Sequence, residues 1–113
     1  MLFAALRDAA AIFFQGRSSR WPAVRRAHLE EHPRCELCGG KKSLNVHHVL
    51  PFHTHPGLEL EPGNLITLCE KSHLDGLNCH LLFGHLGDWK AFNPHVQEDA
   101  PEWRKKILAR RYL

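Results

Sequence analysis

Four cysteines and ten histidines stand in a chain of 113 residues, and their spacing limits what they can do. Cys35 and Cys38 form a Cys-x2-Cys knuckle followed by Gly39-Gly40. Two thiolates at that spacing reach one tetrahedral zinc ion, and the glycines allow the turn. Completing the shell calls on Cys69 and Cys79. Nine residues separate that second pair, where a compact site has about two to four. Residues 70–78 are therefore expected to loop out as an insertion. The alternative is that His73, at compact spacing after Cys69, replaces one cysteine; the Cys79-His80 pair favours the insertion. A disulfide framework fits poorly with four cysteines and no recognisable secretion leader. A redox Cys-x2-Cys lacks the βαβ surroundings that such a site requires.

Seven of the ten histidines lie between His47 and His85. His28, His32, His53, His55, His73 and His95 are read as ordinary surface or core residues. His47-His48 differs, because adjacent side chains on a strand point to opposite faces and meet different surroundings. One ring can hold a metal while the other accepts a proton. His80 and His85 are five residues apart, about 140° around an ideal helix, where two ligands on one face need four-residue spacing. For His85 a metal or substrate contact and a structural role both stay open.

The elements that must position these groups are short. Leu44 to Leu50 reads as a strand rich in strand formers, and Asn64 to Leu68 as a second leading into Cys69. A His- and Pro-rich loop from Phe52 to Gly63 joins them, and Cys79 to His85 is expected to be a short helix. Upstream, Leu2, Leu6, Ala9 and Phe13 form the apolar stripe of an amphipathic helix. Gly16 to Ser19 breaks it, and Ser19 is placed to cap a helix from about Arg20 to Glu31, with Pro22 in its first turn. Trp21, Val24 and His28 are assigned to its inner face, with Arg25 and Arg26 pointing elsewhere. A closing helix is expected from Glu102 to Tyr112. Trp89, Phe92 and Trp103 are expected to pack over the knuckle or the first helices rather than stack on bases.

Composition bounds the rest. At 43% hydrophobic and 24% charged residues the chain is a folded globular protein. Its length excludes a multidomain enzyme, a dinucleotide-binding fold and a repeat array. The longest apolar stretch is too short to span a bilayer. The net charge of +3 is unevenly spread: residues 43–100 hold seven acids against Lys71 and Lys90, a net of −5, so the flanks carry +8. Basic flanks suit phosphate-backbone contact, with Arg25, Arg26, Lys41, Lys42 and Arg104 as the candidate residues.

The stretch from Cys35 to about His85 resembles the HNH nucleases, the ββα-metal group. The resemblance rests on Cys35-x2-Cys38, Val46-His47-His48-Val49-Leu50-Pro51, Asn64-Leu65-Ile66-Thr67-Leu68-Cys69 and Cys79-His80. It implies that His48 is the general base, His47 a metal ligand, Asn64 the orienting N and His80 the last H, catalytic and metal-ligating. Family members with a third helical histidine use four-residue spacing, and His85 departs from it. Asn64, which cannot titrate, is suited to pinning the His48 loop or touching the metal. The implied function is endonuclease cleavage of DNA, with a structural Zn²⁺ and a separate catalytic divalent ion, Mg²⁺, Mn²⁺, Ni²⁺ or Zn²⁺. The expected fold is α+β, a small zinc-stabilised, treble-clef-like ββα-metal core with flanking helices. Its segments are 1–33, 34–88 and 89–113, forming one compact domain. The rival is a non-catalytic zinc-stabilised module for DNA or protein binding. No membrane partner or small-molecule cofactor is expected, a cytoplasmic location is, and oligomeric state stays open.

Overall fold

The computed structural model describes residues 17–70 and 77–110. The amphipathic helix expected within residues 2–14 lies outside them, as do Ser72 and His73. The first described element, α1, is Trp21–Glu31. Pro22 occupies its first turn, where a missing N–H costs little. The expected Ser19 cap does not form: the N-cap position is Arg20, with no side-chain capping bond. Ser18 holds the turn before the helix, its hydroxyl accepting from the Arg20 amide at 3.2 Å and its carbonyl from the Trp21 amide at 3.0 Å. Trp21, Val24, Arg25, His28 and Leu29 are half-buried. That is the i, i+3, i+4 stripe of an amphipathic helix, so Arg25 belongs to the inner face, contrary to expectation, while Arg26 is exposed.

The chain then closes the knuckle. The Cys35 amide donates to the Gly40 carbonyl at 2.9 Å, the Gly39 amide to the Cys35 carbonyl at 2.9 Å, and the Gly40 amide to the Cys38 sulfur at 3.4 Å. Gly39 adopts φ +75°, a conformation in which a side chain would be strained.

Two strands follow, β1 at Leu44–His48 and β2 at Leu65–Cys69, each a residue or two off the expected bounds. They pair antiparallel, Leu44 opposite Cys69 and His48 opposite Leu65. Both faces of this small sheet are covered, so β2 is buried along its whole length instead of alternating. Trp21 of α1 lies over His48 on one face, ring centroids 4.5 Å apart. A helical turn, His80–Gly84, lies over His47 on the other. The core gathers the four cysteines with Leu37, Val49, Ile66, Leu68, Val96 and Ala100. The Thr67 hydroxyl donates to the His32 carbonyl at 2.9 Å and ties the end of α1 to β2.

The closing helix, α2, is Val96–Arg110, starting six residues before the expected Glu102 and carrying Pro101 in its second turn. Val96 and Ala100 are buried, and that burial outweighs the backbone bond Pro101 cannot make. Asn93 links α2 to the turn before it. Its amide donates to the Phe83 carbonyl at 3.2 Å and to the Asp99 carboxylate at 2.8 Å, and its backbone N–H donates to the Gly84 carbonyl at 2.9 Å. Among the described residues no helix is long and apolar enough to cross a membrane.

Candidate metal centres and active-site cleft

Two clusters of metal-ligating atoms form around the sheet. The first is Cys35, Cys38, Cys69 and Cys79, all buried, with their sulfurs within 4.8 Å of one another. The Cys38 and Cys69 sulfurs are 3.6 Å apart. Four sulfurs about 2.3 Å from a tetrahedral zinc stand about 3.8 Å from each other, so the cluster has the size of a zinc site. Its protons fit less well. Hydrogen bonding with Cys69 together with burial pushes the Cys35 thiol up to about 11, against the Cys79 contact, which lowers it. Hydrogen bonds with Cys35 and Cys69, then burial, push the Cys79 thiol far above the ordinary thiol range. Four thiolates crowded in apolar surroundings repel one another, and a bound cation removes that cost. Cys79 completes the cluster, as the insertion interpretation expects.

The second cluster is His47, His80 and His85. His80 Nε2 lies 3.0 Å from His47 Nδ1 and 3.2 Å from His85 Nε2. The five-residue spacing that places His85 off-axis on an ideal helix is resolved by the backbone. His80–Gly84 is a π-turn, and the His85 amide donates to the His80 carbonyl at 3.1 Å, an i to i+5 bond. The wider turn returns both rings to one side, and such π-turns often mark functional sites. The packing at Gly84 is close, since a Cβ would stand 3.1 Å from Leu68 Cδ1 and 3.2 Å from the His47 ring and would press on both.

The tautomers of the cluster follow from its outer contacts. His80 Nδ1 is 2.9 Å from the Glu70 carboxylate, and His85 Nδ1 is 2.8 Å from the Ala91 carbonyl. Both partners only accept, so each Nδ1 carries the proton and each Nε2 of the neutral ring is bare. Two bare lone pairs then face each other at 3.2 Å. A shared cation makes that contact favourable; metal–nitrogen bonds of about 2.1 Å set neighbouring nitrogens about 3.0–3.4 Å apart. His47 is held neutral, its pKa lowered to about 3 by burial and then by charge on its histidine neighbours. Burial also lowers His80, against the pull of the Glu70 hydrogen bond. The residues fit a divalent metal bound through nitrogen.

His48 faces the other way, as adjacent strand residues must. Its Nε2 is 2.8 Å from the Glu59 carbonyl, which fixes the proton on Nε2 and leaves Nδ1 bare. Burial lowers its pKa, the Glu59 carbonyl raises it and the Arg17 charge lowers it. The neutral form, the one able to take a proton, is the one favoured. Asn64 is buried and pins the chain beyond His48. Its Oδ1 accepts from the Leu50 amide at 2.9 Å, and its Nδ2 donates to the Leu50 and Leu58 carbonyls at 3.1 and 3.2 Å. Of its two expected roles, the hydrogen bonds support orientation.

His48 and all three clustered histidines line one cleft of about 470 Å³. Of the five basic residues singled out in the sequence, Arg25 lines this cleft. Arg26, Lys41 and Lys42 are exposed away from its lining, and Arg104 lines a second groove with His28, His32 and Glu36. Sequence reasoning missed the part that four residues play at this cleft. Glu70 was assigned to the inserted loop, yet it grips His80. Glu59 is buried and accepts from the Ser18 amide at 3.2 Å through each carboxylate oxygen, besides holding His48 by its carbonyl. Arg17 lies 3.8 Å from Glu59 and 4.7 Å over the Phe52 ring. Trp89, expected over the knuckle or the first helices, instead packs edge-on against His80 and tilted on His85, 5.1 and 4.9 Å away, and stays 52% exposed.

A two-stranded antiparallel sheet, a following helical turn and a four-cysteine cluster able to hold zinc make up a small α+β ββα core. Residues 35–75 match the family model described as HNH endonuclease. That segment carries Cys35, Cys38, His47, His48, Asn64 and Cys69, and it bears out the resemblance found in the sequence. No curated protein and no solved structure matches the chain.

Proposed function

We propose that this protein is a metal-dependent endonuclease that hydrolyses DNA phosphodiester bonds. The observation that carries the proposal is that His48, its Nε2 taken up by the Glu59 carbonyl, lines the same cleft as three convergent imidazoles. In this assignment His48 takes the proton from the attacking water at Nδ1, while its Nε2–H stays donated to the Glu59 carbonyl. Asn64 keeps the strand end carrying His48 in place. His47, His80 and His85 would hold the divalent ion, which when bound neutralises phosphate charge and stabilises the departing 3′ oxygen. Arg25 and Arg17, on the cleft wall, contact flanking phosphates. Arg26, Lys41, Lys42 and Arg104 meet the backbone farther out.

The test is plasmid cleavage with added divalent metal. Wild type is expected to nick or linearise the plasmid, and His48→Ala to slow cleavage by about 10²- to 10⁴-fold with zinc content unchanged. Cleavage that survives His48→Ala removes His48 as the base. Absence of cleavage with Mg²⁺, Mn²⁺, Ni²⁺ and Zn²⁺ alike favours a non-catalytic zinc-stabilised binding module.

A further inference from the structure

Glu70 and His80 each directly follow a cysteine of the zinc cluster, Cys69 and Cys79. The cysteine cluster thus sets the two ends of the Glu70–His80 hydrogen bond, although nine residues of chain separate Cys69 from Cys79. A single carboxylate oxygen, Glu70 Oε1, accepts from both His80 Nδ1 at 2.9 Å and the Asn45 side-chain amide at 2.7 Å. The Glu70 backbone N–H in turn donates to the Ser43 carbonyl at 2.8 Å. A side chain 39% exposed has water available for its hydrogen bonds, so burial does not require this arrangement. What it does is fix one ring.

We infer that Glu70 is a positioning residue for the histidine centre: it holds the proton on His80 Nδ1 and turns the bare Nε2 toward His47 and His85. The inference rests on the proposed metal role of those three histidines. The contrast within the trio supports it. His85 is held by the Ala91 carbonyl, whereas His47 Nε2 is buried with no hydrogen-bond partner. His80 is the member that meets both other nitrogens, and it alone has a carboxylate behind it. A carboxylate behind a ligating histidine fixes its tautomer and makes it a stronger donor, and loss of such a partner typically weakens metal binding about 10- to 100-fold.

The experiment titrates protein already loaded with its cysteine zinc with Co²⁺, reading affinity from the visible absorption of the ion. Nitrogen-only ligation is distinguished from cobalt in the cysteine site by the absence of intense sulfur charge-transfer bands. Glu70→Ala is expected to keep one zinc and to bind cobalt about 10- to 100-fold more weakly. Glu70→Gln, whose amide oxygen can still accept from both His80 and Asn45 but carries no charge, is expected to bind more tightly than Glu70→Ala and more weakly than wild type. Glu70→Ala binding cobalt as tightly as wild type overturns the inference. A second measurement needs no variant. Nitrogen-15 NMR of the zinc-loaded protein before cobalt is added is expected to find the His80 proton on Nδ1, and a proton on Nε2 overturns the inference. Failure of the metal-centre assignment looks different: wild type takes up no second ion, or His80→Ala binds cobalt as wild type does, and Glu70 loses its role with it.

Discussion

The cysteine cluster and the histidine cluster are neighbours on the same two-stranded sheet and are built on opposite principles. The four cysteines are buried in the apolar core, with Leu37, Leu68 and Val96 packed around them. They line neither the histidine cleft nor the groove beside Arg104. The three histidines line an open cleft, and the outer nitrogens of two of them are held by a carboxylate and a carbonyl. A closed sulfur site spends its ion on holding the chain together, and an open nitrogen site leaves positions for a ligand. The departures from regular structure lie on the side of the proposed active site: the π-turn, the Gly84 close approach and the orphaned His47 nitrogen all belong to the histidine side.

Variants that exchange the expected behaviour of the two centres would break that comparison. The largest effect is expected from Cys79→Ser. Zinc binding contributes about 10–16 kcal/mol in small zinc-dependent domains, against a net stability of about 5–15 kcal/mol for a domain. Loss of one thiolate is expected to release the zinc and abolish a cooperative thermal transition, read by metal content and circular dichroism. A smaller loss is expected from Asn64→Ala. It removes three hydrogen bonds and strands the Leu50 amide, for about 2–4 kcal/mol in urea denaturation. Zinc content should not change, which places the damage on the His48 side. Gly84→Ala is expected to cost least, about 1–3 kcal/mol for overpacking. The new methyl presses on the His47 ring and on Leu68, so weaker metal uptake at the histidines is expected with the cysteine zinc retained.

How much of this was legible in the sequence follows the same division. The cysteine cluster was readable because Cys-x2-Cys is a local spacing and Cys69 and Cys79 were the remaining thiols, with His73 the alternative to one of them. His47, His48 and Asn64 were readable because they fall on or beside strands, where alternation and order survive without tertiary knowledge. His85 was not, because its angle depends on an i to i+5 turn. That turn is held by contacts from afar, Gly84 against His47 and Asn93 bonded to the Phe83 and Gly84 carbonyls. Glu70 was hidden by the same long-range geometry, since nine intervening residues conceal that it ends beside His80. Arg25 was misplaced for a simpler reason: the inner stripe of α1 includes the i+4 position as well as i+3. Trp89 shows that an aromatic count alone does not say which centre it packs against.

The central claim is that the cysteines hold the fold and the histidines carry the chemistry. It is tested most directly by His80→Ala beside wild type, with zinc content, melting temperature and plasmid cleavage read from the same preparation. The account predicts one zinc retained, a melting temperature within about 5 °C of wild type, and cleavage lost. Retained cleavage, or zinc loss and unfolding like that expected of Cys79→Ser, would contradict it.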